Sequence, residues 1–129
     1  MANIQLTNGV KIDGKSIQAI DLLWTNANPN SSFSGQTISL NLSDYEFVVI
    51  QLKWNSSSAK AVMSSILHTN TDEGTTIAAV YNARVYREVS ITNAGIQFVD
   101  CYYAANYSAA VSVNNAYCVP YKIYGIKLS

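Results

Sequence analysis

Short runs in which polar and apolar residues alternate constrain the fold of this chain more than any other feature. Residues 37–42 alternate strictly, and residues 47–54 combine an apolar stretch with β-branched and aromatic side chains. A period of two places one face of an extended strand against a core and the other face in solvent. Since β-branched and aromatic residues also favour strands, the pattern predicts a protein built mainly from β-strands.

Polar, turn-forming segments separate these runs at regular intervals. The further predicted strands are residues 61–69, 75–92 with a break near residues 82 and 83, 96–105, 109–113 and 117–128. Residues 56–65 are the only helical candidate, but the turn-rich flanks of residues 61–69 favour a strand there. Short strands with regular turns are typical of sandwiches and jelly rolls. We therefore expect an all-β, antiparallel β-sandwich that is jelly-roll-like, with little or no helix.

The length of 129 residues fits one domain preceded by a short N-terminal element. Asn8-Gly9 and Asp13-Gly14 lie within the first 20 residues. Such dipeptides supply the positive φ angles that tight hairpin turns require. The sequence therefore predicts an N-terminal arm or hairpin over residues 1–20 and a β-sandwich domain over residues 21–129.

Charge and hydropathy exclude several classes of protein. Only 12% of the residues are charged, and eight basic residues balance eight acidic ones. A nucleic-acid-binding protein usually carries a basic excess on one face, so nucleic acid is not an expected partner. The N-terminus lacks the basic region and apolar run of a secretory signal, and no apolar run is long enough to span a membrane. We expect synthesis in a cytoplasm, without export by the usual route and without membrane insertion.

Residues capable of catalysis are present but do not form a recognisable set. His68 is the only histidine, and no Gly-x-Ser-x-Gly motif accompanies it. Asp72 and Glu73 are adjacent, but they lie in a predicted turn, where acidic residues are expected anyway. Cys101 and Cys118 lack the spacing of a zinc site, and thiols of a cytoplasmically made chain are more often free than bridged. The sequence thus predicts a protein without enzymatic activity, cofactor or metal.

Tyrosine is the residue type most suggestive of binding. Six of the nine tyrosines lie in the last quarter of the chain, at positions 102, 103, 107, 117, 121 and 124. Rings with one polar tip suit contacts with sugars and with proteins, but tyrosine is equally a favoured strand residue. If there is a glycan site, the leading candidates are Tyr103, Asn106 and Tyr107. Trp24 and Trp54 are secondary candidates. Because Trp54 ends a strong apolar strand, its side chain is expected in the core or at the edge of the core.

A hairpin is predicted where Thr92-Asn93-Ala94-Gly95 separates two alternating runs. The pairs expected on the core-facing side of this hairpin are Ile91 with Ile96, Val89 with Phe98, Arg87 with Asp100, and Val85 with Tyr102. An unpaired buried charge is costly, so this register predicts a buried ion pair with two parallel hydrogen bonds. The functional alternative is that Arg87 and Asp100 line a ligand site.

Several segments resemble a known domain. They are residues 22–26, 28–29, 31–33, 37–43, 45–50 and 117–127. The sequences of these segments are similar to those of a domain common in tail-module and other virion proteins of phages and prophages of gut Gram-positive bacteria. The resemblance covers about residues 20–129. It implies a β-sandwich that assembles on a virion and contacts a host surface or another structural protein, and it supplies no catalytic residues.

The resemblance favours a tail-fibre or receptor-binding module that contacts host-surface glycans or other virion subunits. A homo-oligomer is expected, with a trimer favoured by analogy with tail spikes and fibres. A capsid decoration or head-fibre protein, a bacterial carbohydrate-binding module and a small carbohydrate-active enzyme are the alternatives, the last disfavoured by the lack of a recognisable acid/base pair.

Overall fold

In the computed structural model, residues 11–12, 14–58, 61–70, 75–78, 84–106 and 108–129 are described, and every regular element among them is a β-strand. The strands are β1 (Lys11–Ile12), β2 (Lys15–Thr25), β3 (Gln36–Ser39), β4 (Phe47–Asn55), β5 (Ala61–His68), β6 (Thr75–Ala78), β7 (Arg84–Thr92), β8 (Gly95–Phe98), β9 (Tyr102–Ala104), β10 (Ser112–Val113) and β11 (Tyr117–Leu128). The prediction of an all-β fold is confirmed.

The described strands form two antiparallel sheets that pack face to face. The first sheet has the order β1-β2-β11-β4-β5. The second has the order β10-β9-β7-β8-β3, and β6 pairs with the other edge of β7. One core lies between the sheets, and its buried side chains include Val48, Ile50, Leu52 and Ile123 from the first sheet and Val85, Val89, Ile91, Ile96 and Phe98 from the second. The alternation in the sequence corresponds to this division between inner and outer faces.

Some strands differ in extent from the predicted runs. Residues 61–69 contribute the strand β5, so the helical alternative over residues 56–65 is wrong. Residues 56–58 instead form a turn in which the side-chain oxygen of Asn55 accepts a hydrogen bond from the Ser57 amide. Residues 37–42 give only the short strand β3, because the Leu40 and Leu42 amides donate to the carbonyl oxygens of Ala94 and Asn93.

The N-terminal element joins the first sheet directly. β1 pairs with the start of β2, with Ile12 opposite Lys15, and Gly14 has a φ of 77°. β2 then continues without interruption from Lys15 to Thr25, so the predicted boundary after residue 20 falls inside a strand. Asn8-Gly9 lies outside the described residues.

The hairpin between β7 and β8 forms as predicted around Asn93 and Ala94. Ile91 pairs with Ile96, and Val89 pairs with Phe98. Gly95 is required at the start of β8, because its φ is 148° and a Cβ there would lie 2.2 Å from the carbonyl oxygen of Ile38. This close approach brings β3 against β8 and completes that edge of the second sheet.

Candidate functional site

Arg87 lies on the inner face of β7 and is fully buried. Its guanidinium donates to the carbonyl oxygens of Cys118 at 2.8 Å and Val99 at 2.9 Å, and also to that of Phe33. A longer bond of 3.4 Å reaches the carbonyl oxygen of Tyr117. Burial lowers the pKa of the Arg87 guanidinium, but a group that donates only to carbonyl oxygens in this way is held as the cation.

The predicted ion pair between Arg87 and Asp100 is wrong. Among the described residues Arg87 forms no ion pair with Asp100, whose Oδ1 instead accepts hydrogen bonds from the Gly35 amide at 2.7 Å and the Asn115 side chain at 2.9 Å. The Gly35 amide first, and Asn115 second, hold the pKa of Asp100 below its ordinary value. Asp100 therefore anchors the end of a loop and acts on the buried cation only through space, without a direct hydrogen bond.

An irregularity in the ladder explains the error. Val89 pairs with Phe98 on β8, but Val85 pairs with Tyr103 on β9, so one additional residue lies between the two pairs. The predicted pairing of Val85 with Tyr102 is therefore wrong as well. Tyr102 pairs with Tyr86 instead, and their rings stack at 5.5 Å. An extra residue of this kind re-aims the side chains that follow it.

Residues 26–35 form a loop that two buried cations attach to the core; we call it the 26–35 loop. Lys53 is only 3% exposed, and its ammonium donates to the carbonyl oxygen of Pro29 at 2.6 Å and to the Asn30 side-chain oxygen at 2.8 Å. Arg87 holds the carbonyl oxygen of Phe33 further along the same loop. Each cation thus fixes a separate part of the loop.

Further hydrogen bonds fix both ends of the 26–35 loop. At its start, the Asn26 backbone amide donates to the carbonyl oxygen of Tyr121 and the Asn26 side chain donates to that of Pro120, both at 2.8 Å. At its end, the Gly35 amide is held by the Asp100 carboxylate. The loop has no regular secondary structure, yet its conformation is determined at several points along its length.

The 26–35 loop and the end of β2 enclose a pocket of about 280 Å³, the Trp24 pocket. Trp24 lies on β2 of the first sheet, while Gln36 and Ile38 lie on β3 of the second, so the pocket opens between strands of different sheets. The remaining lining residues are Thr25, Asn26, Ala27, Asn28, Ser32 and Phe33. The lining combines an indole ring with neutral amides and hydroxyls and contains no charged side chain.

The local geometry explains why Trp24 is available at this pocket. The register between β2 and β11 shifts between Leu22, which pairs with Tyr124, and Trp24, which pairs with Ile123. Trp24 packs edge-on against Phe33 with ring centroids 6.1 Å apart and remains half-buried. Part of its indole surface therefore faces the pocket and not the core.

Two other candidates, Tyr103 and Trp54, belong to an aromatic cluster centred on Tyr117. The Tyr103 and Tyr117 rings stack at 4.2 Å, and Trp54 contacts Tyr117 edge-on at 5.6 Å. A hydrogen bond with Tyr103 raises the pKa of Tyr117. Because Tyr117 covers one face of Tyr103, this cluster is mainly a packing element that contacts the core.

Asn106 has a local structural role. Its side-chain oxygen accepts hydrogen bonds from the Ser108 and Ala109 amides, both at 2.9 Å. This is the turn-forming arrangement typical of asparagine. Tyr107 lies outside the described residues. Of the four candidate residues that the structure describes, Tyr103 and Trp54 lie in one cluster and Trp24 lies at a separate pocket.

A second surface of interest is the outer apolar face of the first sheet, formed by Ile20, Leu22, Val49, Ile66 and Tyr124. Leu22, Tyr124, Val49 and Ile66 are successive cross-strand partners on β2, β11, β4 and β5. Ile20, Leu22 and Ile66 are 56%, 53% and 65% exposed. In the sequence, this face could have been recognised from apolar residues at the outward positions of strands whose inward positions are also apolar.

Catalytic and metal-binding groups are sparse in the part of the chain that the structure describes. His68 is exposed at the end of β5, 3.7 Å from the Glu46 carboxylate and edge-on to Phe47. No group of three or more His, Cys, Asp or Glu side chains is placed there to hold a metal ion. Within those residues, no helix is long and apolar enough to cross a membrane.

Comparisons with protein-family models, with curated proteins and with solved structures give no match for this chain.

Proposed function

We propose that this chain is a non-enzymatic structural protein of a phage or prophage virion, a tail-fibre or receptor-binding module whose Trp24 pocket binds a neutral sugar of the host surface. The observation that carries the proposal is the Trp24 pocket itself, with its indole ring, neutral polar lining and fixed loop. The resemblance of residues 20–129 to virion proteins gives the biological setting.

The chemistry of the lining favours a sugar. An indole offers a flat apolar surface on which the C–H face of a sugar ring can pack. Around it, Asn28 and Gln36 supply amide donors and acceptors, and Ser32 supplies a hydroxyl. Ligand sites commonly combine a mainly apolar surface with a few such convergent polar groups. An anionic or cationic ligand would find no opposite charge among the lining residues.

The rigidity of the 26–35 loop supports binding as well. Lys53 and Arg87 hold separate points of the loop from the core side, and the partly exposed Asp100 holds its end. A ligand that enters a site of fixed geometry does not have to order that site, so less of the interaction energy is lost. This reduction matters most for sugars, because each of their hydrogen bonds replaces one to water and contributes little on its own.

Self-assembly through the outer apolar face is a second candidate function. The aligned row of Leu22, Tyr124, Val49 and Ile66 forms a contiguous apolar patch, and such patches mark interaction sites more often than scattered apolar residues do. Net charge near zero provides little repulsion between copies. A homo-oligomer, with a trimer favoured by analogy, combines both functions in one virion component.

The pocket is tested by glycan-array screening of the full chain, followed by titration calorimetry with any sugar that binds. Asn28→Ala removes an exposed lining amide, and Trp24→Leu removes the indole. The matched controls are Asn93→Ala, an exposed asparagine in the β7–β8 hairpin, and Trp54→Leu, a half-buried tryptophan of the aromatic cluster. We expect both pocket variants to lose at least tenfold in affinity and both controls to retain it.

Binding that is unaffected by Trp24→Leu and Asn28→Ala would refute the pocket, and binding lost only in Trp54→Leu would move the site to the aromatic cluster. Electron microscopy of particles labelled with an antibody against the chain separates the tail-fibre assignment from the capsid alternative. Label on the head, or its absence from particles, contradicts the tail assignment.

A further inference from the structure

The two cysteines meet in the core from opposite sheets. Cys118 lies near the start of β11 in the first sheet, and Cys101 immediately precedes β9 in the second. Both thiols are buried in the one core cluster between the sheets, and neither takes part in a disulfide. A disulfide requires two thiols that approach closely in a defined geometry, so the contacts that hold the two backbone segments together are the relevant observation.

The backbone around both cysteines is held by the same buried group. The Arg87 guanidinium donates to the carbonyl oxygen of Cys118 and to that of Val99, two residues before Cys101. A single planar guanidinium thus bridges the two segments that carry the thiols. Its fork geometry fixes their separation more strictly than a flexible side chain would.

A second set of hydrogen bonds ties Cys101 to the segment before Cys118. The Cys101 amide donates to the Asn115 side-chain oxygen, and the Asn114 amide donates to the Cys101 carbonyl oxygen, both at 2.8 Å. Cys118 itself has a φ of 48°, which a residue other than glycine seldom adopts. The two segments are therefore attached to each other on both sides of the thiol pair.

We propose that Cys101 and Cys118 form an intersheet disulfide by exchange with a low-molecular-weight disulfide such as oxidised glutathione. The thiolate of one cysteine attacks a sulfur of the small disulfide and releases one small thiolate. The thiolate of the other cysteine then attacks the protein sulfur of this mixed disulfide and releases the second. The protein loses two protons and two electrons, and the small disulfide gains both and becomes two thiols.

The surroundings of the pair favour the ionised thiol that exchange requires. The hydrogen bond with Cys118 first, and the positive charge of Arg87 after it, lower the pKa of Cys101, although burial acts in the opposite direction. A cation beside a thiol commonly has this effect. Because both thiols are buried, exchange needs the core to open, and we expect the bond to form during folding or local unfolding.

Such a bond would join the two sheets and close the chain between residues 101 and 118. Closing a loop of this length restricts the unfolded chain, and the expected rise in the midpoint of thermal unfolding is about 10 °C. The inference does not depend on sugar binding, since neither cysteine lines the Trp24 pocket.

The test compares the full chain refolded with oxidised and reduced glutathione against the same chain refolded in a reducing agent. Unreacted thiols are alkylated in denaturant, and the protein is digested without reduction and analysed by mass spectrometry. Trypsin is unsuitable, because no lysine or arginine lies between Arg87 and Lys122. Chymotrypsin can cleave after Tyr102, Tyr103 or Tyr117 and so separates the two cysteines unless they are bridged.

We expect the oxidised monomer to be lighter by two hydrogen atoms, to yield a peptide pair linked through Cys101 and Cys118, and to unfold at the higher temperature. The variant carrying both Cys101→Ala and Cys118→Ala is the control, and its midpoint should be the same under the two conditions. Two alkylated thiols in the oxidised sample, disulfides only between chains, or a stable adduct with glutathione would each overturn the proposal.

Discussion

The outer faces of the two sheets differ sharply in chemistry, although the two sheets contribute to the same core. On the first sheet, one aligned row of outward positions carries Leu22, Val49 and Ile66, while the next row carries Lys122, Gln51 and Ser64. On the second sheet, one aligned row of outward positions carries Ser90, Gln97 and Thr37. The second sheet therefore has the alternation expected of a strand that faces water on one side.

The fold alone does not require the apolar outer face of the first sheet. A sandwich is stabilised by the inward side chains, and an outward leucine or isoleucine gains little until something covers it. Isolated apolar residues are common on protein surfaces, but an aligned row across four strands is a contiguous patch. The difference between the sheets is the basis for the proposal that the apolar row of the first sheet contacts a partner.

The largest expected effect compares a substitution on the inner face of the second sheet with one on its outer face. Arg87→Met keeps an elongated side chain but leaves the buried carbonyl oxygens of Phe33, Val99 and Cys118 without their donor. We expect a loss of about 3–5 kcal/mol in the free energy of unfolding, measured by urea denaturation. Glu88→Gln on the exposed side of the same strand should change it by less than about 0.5 kcal/mol. Similar values for the two variants would contradict the buried role of Arg87.

Gly95→Ala tests how closely β3 and β8 of the second sheet must approach each other. The added Cβ would lie 2.2 Å from the Ile38 carbonyl oxygen, and the residue would keep an unfavourable φ of 148°. We expect a loss of about 2–3 kcal/mol in unfolding free energy. Gly14→Ala is the matched control, because φ there is also positive, at 77°, but nothing lies within 4 Å of the added Cβ. If both variants lose the same amount, backbone strain and not close approach explains the effect.

The β7–β8 hairpin illustrates what the sequence was sufficient to predict. Turn residues and alternation together placed Ile91 opposite Ile96 and Val89 opposite Phe98. Beyond Phe98 the same reasoning failed, because an additional residue precedes β9. That irregularity is stabilised by partners distant in sequence, such as the Asn114 amide on the Cys101 carbonyl oxygen. Local patterns contain no information about such partners.

The candidate site was predictable only in part, for a similar reason. The aromatic character of Trp24 suggested a contact residue, but the pocket beside it depends on the conformation of the 26–35 loop. Lys53 and Arg87 determine that conformation from strands far along the chain. Burial of Lys53 is not expected from the sequence, since charged residues are rarely buried. Arg87 was predicted to be buried, but with a carboxylate as its partner and not the carbonyl oxygen of a distant loop. In the same way, the stacking of Tyr103 on Tyr117 follows from the packing of β9 near β11 and not from any spacing.

Ile66→Ser tests the outer apolar face directly. Ile66 is 65% exposed on β5 and ends the apolar row. If copies associate through this face, burial of the isoleucine contributes about 1.5 kcal/mol or more, and the substitution should weaken association about tenfold. Light scattering over a concentration series measures this, with Gln97→Ser on the second sheet as the control. A wild-type chain that stays monomeric at high concentration, or equal effects of both variants, would contradict assembly through this face.

The smallest expected effect concerns Asp100, which is partly exposed and links the second sheet to the 26–35 loop. Hydrogen bonds from Gly35 and Asn115 hold its pKa below the ordinary value of 3.8. A carboxyl group whose pKa is lower in the folded state stabilises the protein at pH values above its unfolded-state pKa. That contribution is lost as the pH falls through the folded-state pKa. Asp100→Asn can still accept both hydrogen bonds, so we expect little change at neutral pH and a shallower loss of stability in the acid range. Urea denaturation at a series of acidic pH values measures this, with the exposed Asp44→Asn as the control. An unchanged acid dependence in Asp100→Asn would show that this carboxylate does not contribute to holding the loop.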